Sequence, residues 1–184
     1  MAWLELCPQI ESSDYFPNRS NEDSHVDVSG NGGKYHSDMW DVAVYVDSGK
    51  SGSAQVVIYD DWLFDPDRLY DRVEIQFEVN PLTLKKVNSN GDVYWTARLQ
   101  VFKKVGSEWQ FQAESSPWVL TANHEGSYTQ KVLGVDYSFA SGTEYKIRLR
   151  VSMSSSQTSG GTVLGEADFE VPNQTGWLRF RYST

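Results

Sequence analysis

The chain has 184 residues, a formal net charge of −9 and a sequence pI near 4.7. Phosphate neutralisation needs a basic surface, so an acidic chain argues against nucleic acid or an anionic membrane as the main partner. A single cysteine, Cys7, excludes an internal disulfide, and no run approaches 18 apolar residues, so no segment reads as membrane-spanning.

Length fits one large domain, or one domain with a long arm. Aromatic residues make up 14% of the chain, including seven Trp and ten Tyr. Such rings suit strands, interfaces and sugar sites alike. Cys7 reads as a small buried or half-buried thiol rather than a ligand.

Residues 1–37 read as an extended arm, and 38–184 as the folded domain. After Trp3-Leu4-Glu5-Leu6 the arm is dense in Ser, Asn, Asp, Pro and Gly, and only His25-Val26-Asp27-Val28 suggests a strand. So long a stretch with little regular structure is mobile, or lies over its own sheet or a neighbouring subunit. Met1–Cys7 is apolar but too short for a signal-peptide core, and Pro8, Gln9 and Glu11 follow at once.

From Trp40 onward the chain alternates. Val42, Val44 and Val46 mark a half-buried strand, Asp47–Gly52 a turn, and Ala54–Tyr59 a return strand, which together predict a hairpin. An acidic connector follows, with Asp60, Asp61, Asp65, Asp67 and Asp71 around Trp62 and Phe64. Leu69, Val73, Ile75, Phe77 and Val79 predict the next strand, ended by Pro81. Asn88–Asp92 predicts a tight turn through its Asn-Gly pair.

Trp95, Ala97, Leu99 and Val101 then point one way, and Thr96, Arg98 and Gln100 the other. A turn at Lys103–Ser107 leads to a strand carrying Trp109 and Phe111. In the strand from Tyr128 the phase slips at Gly134, which predicts a β-bulge. Tyr145, Ile147, Leu149, Val151 and Met153 alternate with Lys146, Arg148, Arg150 and Ser152 over nine residues, the clearest strand of the chain. After a loop at Ser154–Gly161, Glu166, Asp168 and Glu170 face outward. Their charges predict an antiparallel hairpin in which Arg150 faces Glu166, Arg148 faces Asp168 and Lys146 faces Glu170.

About ten short strands and no helical periodicity predict an all-β antiparallel β-sandwich, immunoglobulin-like or jelly-roll. Residues 92–171 resemble an immunoglobulin-like or fibronectin type III-like module. Trp95 stands where that family carries a core Trp, and Tyr145, two residues before Ile147, where it carries a tyrosine corner. There is no cysteine pair, and extra strands precede residue 92. By resemblance, such modules serve as adhesive, spacer or decorating parts of cell surfaces and virus particles.

No catalytic motif is present. There is no Gly-x-Ser-x-Gly elbow, and His25, His36 and His124 are scattered. A glycosidase carboxylate pair is a spatial property that the sequence leaves open. Asp60, Asp61, Asp65 and Asp67 supply the hard oxygens that calcium takes, without the glycine and terminal Glu of an EF-hand loop; the same Asp residues also serve as turn formers. Trp62, Trp109 and Trp118 lie at or near loops, where they would stack on sugars or pack against subunits. These features predict a non-enzymatic structural or adhesive protein of a larger assembly, such as a virion decoration, tail or fibre protein. Its partners would be other protein subunits, through the arm or a sheet surface. The alternative is a secreted carbohydrate-binding module, calcium-stabilised, whose partners are glycans. Either reading sets the protein in a virion or at a cell surface or outside the cell.

Overall fold

The computed structural model describes residues 1–6, 25–37, 41–170 and 177–183; Cys7 and the rest of the segment 7–24 lie outside them. Its strands are β1 (Ala2–Leu6), β2 (His25–Gly30), β3 (Gly33–Ser37), β4 (Asp41–Val46), β5 (Gly52–Phe64), β6 (Tyr70–Ser89) and β7 (Asp92–Val105). They continue with β8 (Glu108–Glu114), β9 (Trp118–Thr121), β10 (His124–Phe139), β11 (Tyr145–Gln157), β12 (Gly160–Glu170) and β13 (Trp177–Tyr182). Among the described residues there is no helix.

Two antiparallel sheets pack face to face, as the alternation predicts. The seven-stranded sheet runs β1-β13-β6-β12-β4-β3, with β10 also paired to β6. The six-stranded sheet runs β2-β5-β11-β7-β8, with β9 also paired to β7. The described parts of the N-terminal 37 residues are strands of these sheets: β1 pairs with β13, β2 with β5, and β3 with β4.

Period-two patterning builds the core. Tyr145, Ile147, Leu149, Val151 and Met153 of β11 are fully buried, as are Trp95, Ala97, Leu99 and Val101 of β7 and Val73, Ile75, Phe77 and Val79 of β6. Burying each large apolar side chain contributes about 1.5–3 kcal/mol, so these faces dominate the stabilising side. Leu69 departs from the pattern and stays exposed, because β6 begins only at Tyr70. At one end the rings of the two sheets interlock. Phe64 stacks on Phe180 with centroids 3.6 Å apart, and Tyr70 meets Phe64 edge-on at 5.3 Å.

Strand partners differ from the predicted hairpins. Strands β4 and β5 do not pair; β4 joins β3 and β12, while β5 joins β2 and β11. Likewise β11 pairs with β5 and β7, and β12 with β6 and β4. Arg148 therefore faces Asp61 rather than Asp168. In both cases the turn carries the chain from one sheet to the other. Gln157 ties these crossings together. Its side-chain amide donates to the carbonyls of Asp47 (2.9 Å), Lys50 (2.9 Å) and Gly161 (2.8 Å), and its carbonyl accepts from the Ser89 hydroxyl.

Two further predictions are corrected. Pro81 does not end its strand: β6 runs through it, and the ladders to both neighbours pass over Asn80 and Pro81, so its missing N–H costs no ladder bond. The register is continuous at Gly134, which pairs with Glu74, and the irregularities lie on either side. What Gly134 allows is close approach, since a Cβ there would sit 2.6 Å from the Arg72 guanidinium.

Candidate functional site

The outer face of the six-stranded sheet gathers the outward residues of β5, β11, β7 and β8 in register. One row is Leu63, Lys146, Phe102 and Phe111; the next is Asp61, Arg148, Gln100 and Glu114; the third is Tyr59, Arg150 and Arg98. Lys104 and Trp109 stand opposite one another beyond the first row. Each residue is placed by parity: the odd-numbered positions from Tyr59 to Leu63 and the even-numbered positions of β7 and β11 point away from the core.

Cations lie over the rings of this face. The Arg148 guanidinium is 4.2 Å from the Tyr59 ring centroid and 5.2 Å from that of Phe102. Lys146 Nζ is 5.1 Å from Phe102 and 5.2 Å from Trp109, and Lys104 Nζ is 5.6 Å from Trp109. Such contacts hold the rings in fixed orientations. Phe111 meets Phe102 edge-on at 5.8 Å and is 53% exposed, so much of its surface is open to a ligand. Tyr94, two rows beyond Arg98 on β7, is exposed as well.

The carboxylates of the face are engaged. Asp61 accepts two bonds from Arg148, each 2.6 Å, and lies 3.5 Å from Lys146 Nζ. Glu114 pairs with Arg98 and accepts from Gln100 at 3.1 Å, and Glu144 accepts from Lys104 at 2.8 Å.

The other predicted site residues lie elsewhere. Trp62 is a core residue, 3% exposed. Trp118 sits where the two sheets meet, against Phe77, Trp95 and Tyr128, with Lys131 Nζ 4.6 Å from its ring. Trp109 alone of the three belongs to the outer face. Asp65 and Asp67 line a shallow cavity of about 350 Å³ at one end of the sandwich, with Leu4, Phe64, Arg68, Tyr70 and Tyr182. There Asp67 accepts from Tyr70 Oη (2.7 Å) and Arg68 (2.8 Å). The bonds from Arg68 and then Tyr70 lower the Asp67 pKa to about 2, leaving it an acceptor with no proton to give near neutrality. Burial, reinforced by the Asp67 bond, pushes the Tyr70 hydroxyl up to about 12.

Asp71 pairs with Arg181, and the Asp60 side chain lies outside the described ones. Asp61, Asp67 and Asp71 are thus dispersed among separate cationic partners. Among the described residues, no group of three His, Cys, Asp or Glu side chains is placed to hold a metal ion.

Sequence reasoning singled out Trp109 but passed over Tyr59 and Phe102. The signal was present: Phe102 shares the parity of Arg98 and Gln100, which marks it as an aromatic on a solvent face.

No protein-family model matches the sequence, and no curated protein sequence matches it. Several solved structures resemble the fold. The enzymatically active domain of tailspike protein 4 of bacteriophage CBA120 is similar over 83% of this chain and 19% of that one, at 12% identity and a TM-score of 0.29. TmCBM61, in complex with β-1,4-galactotriose, is similar over 85% of this chain and 88% of its own, at 14% identity and a TM-score of 0.24. The family 11 carbohydrate-binding module from Clostridium thermocellum, in complex with a β-1,3-1,4-mixed-linked tetrasaccharide, is similar over 98% and 89% respectively, at 12% identity and a TM-score of 0.25. Likenesses this distant carry no argument about the site.

Proposed function

We propose that the protein is a non-enzymatic β-sandwich module that binds saccharide chains across the outer face of its six-stranded sheet, as an adhesive part of a larger assembly. The observation that carries this reading is the juxtaposition of ring surface at Trp109, Phe111 and Tyr94 with the guanidinium and amide donors of Arg98, Arg150 and Gln100. Sugar rings present apolar faces beside hydroxyl groups, and a fixed aromatic next to a planar donor meets both. The engagement of Asp61, Glu114 and Glu144 with cations supports a binding role over acid–base chemistry.

The test is affinity electrophoresis against a panel of soluble polysaccharides. Trp109→Ala and Phe111→Ala are expected to weaken retention at least tenfold with the melting temperature held. Retention by no polysaccharide, or retention indifferent to both substitutions, would refute the reading.

A second observation favours protein subunits as additional partners. Strands β8, β9 and β10 each pair on one side only among the described residues, and Val105, Phe111, Val119 and Val132 on or beside them are exposed. Open strands with apolar side chains are templates for association. Sedimentation velocity at micromolar concentration checks this; a strict monomer speaks against it. The immunoglobulin-like resemblance finds support at two residues: Trp95 is fully buried, and the Tyr145 hydroxyl accepts from the Ala140 N–H at 3.0 Å.

A further inference from the structure

We infer that the saccharide chain this face takes is an acidic one, its carboxylates met by Arg150 and Arg98. The inference rests on the saccharide-binding reading above and adds the ligand's charge. Arg150 of β11 and Arg98 of β7 stand directly opposite each other in the ladder, both directed outward. Like charges in that relation repel, so without an anion between them the arrangement works against the sheet.

Their partners are incomplete. Arg98 pairs with Glu114 through Nη1, while its Nε is buried with no acceptor among the described residues. Arg150 makes no ion pair among the described residues. Around the ring cluster five cations (Arg98, Lys104, Lys146, Arg148 and Arg150) face three carboxylates (Asp61, Glu114 and Glu144). The local excess is positive in a chain whose net charge is −9. A guanidinium pair of this kind binds carboxylate through paired donors, where an ammonium offers only a point charge.

Geometry favours a polymer with rings over an acidic peptide. Phe102 and Tyr94 lie four residues to either side of Arg98 on β7 and on the same face, about 13 Å away in each direction. An extended chain thus meets an aromatic end, a cationic middle and a second aromatic end.

The experiment titrates the protein with linear uronic-acid polymers (polygalacturonate and alginate), their neutral methyl esters, and poly-glutamate, at low and high salt. The acidic polymers are expected to bind at least tenfold more tightly than the esters, with the preference shrinking as salt rises. Arg150→Gln should abolish the preference, read as the ratio of acid to ester affinity on the same variant; its melting temperature checks the fold, and Arg98→Gln is the second variant. Equal binding of acid and ester overturns the inference while the saccharide reading stands. Binding of poly-glutamate as tightly as the uronates, with no ester bound, overturns both in favour of an acidic peptide. Binding of neither saccharide form overturns both as well.

Discussion

The Gln157 amide reaches the Asp47 carbonyl at 2.9 Å and so joins residues 110 positions apart at the end of the sandwich where the chain changes sheets. The same nitrogen serves Lys50 and Gly161, and the amide oxygen takes the Ser89 hydroxyl. Gln157 is 4% exposed, so water does not replace these partners when it is removed. Gln157→Leu is therefore expected to cost about 2–4 kcal/mol in urea unfolding, the sum of several carbonyls left unmet. Gln157→Glu should be at least as damaging, because it sets a carboxylate against three carbonyl oxygens. A loss below about 1 kcal/mol in both would show that the crossings hold without it.

Which face each strand presents was legible in the sequence, while which strand it pairs with was not. Alternation in β11 and β7 assigns Ile147 and Leu99 to the core whatever lies beside them. It is silent on neighbours, and charge did not supply them: Arg148 complements Asp168 on paper as well as it complements Asp61 in the sheet. Turns mislead in the same way. Asp47–Gly52 and the loop before Gly160 have the Gly, Ser and Asp content of hairpin turns, yet both are sheet crossings, since a reversal and a crossing ask the same freedom of the backbone. For the site, parity would have separated Trp62, in phase with the buried Phe64, from Trp109 on an outer face. The meeting of Trp109 with Lys146 across two ladders needed the register.

Asp61 and Arg148 form a two-pronged ion pair whose side chains are 11% and 16% exposed. With so little water available, the contacts that remain, Lys146 at 3.5 Å from Asp61 and the Tyr59 ring under Arg148, do not replace the two short bonds that are lost. Asp61→Asn is expected to cost about 2–4 kcal/mol, while the double change Asp61→Asn with Arg148→Met should cost less than the sum of the singles by at least about 1 kcal/mol. Strict additivity in chemical denaturation would show that the pair is not coupled.

Arg72 lies across Gly134, held by Glu74 at 2.7 Å and by Asp136 at 2.7 Å. Gly134→Ala pushes a Cβ into the guanidinium and displaces it from Asp136. The expected cost is about 0.5–1.5 kcal/mol, against alanine's better strand propensity. In an Arg72→Ala background the tightest contact is gone, leaving Glu74 Cγ at 3.0 Å, and the same substitution should cost less. A cost unchanged by Arg72→Ala would place the constraint at the Glu74 side chain instead.

The pH dependence of stability carries the signature of the Asp67–Tyr70 contact. Bonds from Arg68 and Tyr70 lower the Asp67 pKa from 3.8 to about 2 in the folded protein. A carboxylate depressed on folding contributes stability that is complete above its unfolded pKa and is lost as pH falls through the folded value. Asp67→Asn should therefore lower the melting temperature by a constant amount from pH 7 to 5. The gap to the parent protein should close between pH 4 and 2, while Glu74 and Asp136, also held low by their arginines, titrate alike in both. At the alkaline end the sign reverses. Tyr70 is raised from 10.0 to about 12, first by burial and then by the Asp67 bond, so the unfolded chain ionises first and stability falls as pH rises from 10. Tyr70→Phe should flatten that alkaline limb and, by removing one donor, shift the acid limb of Asp67 upward. Melting curves at half-unit pH steps decide it: an acid limb unmoved by either substitution would mean that the contact does not persist in solution.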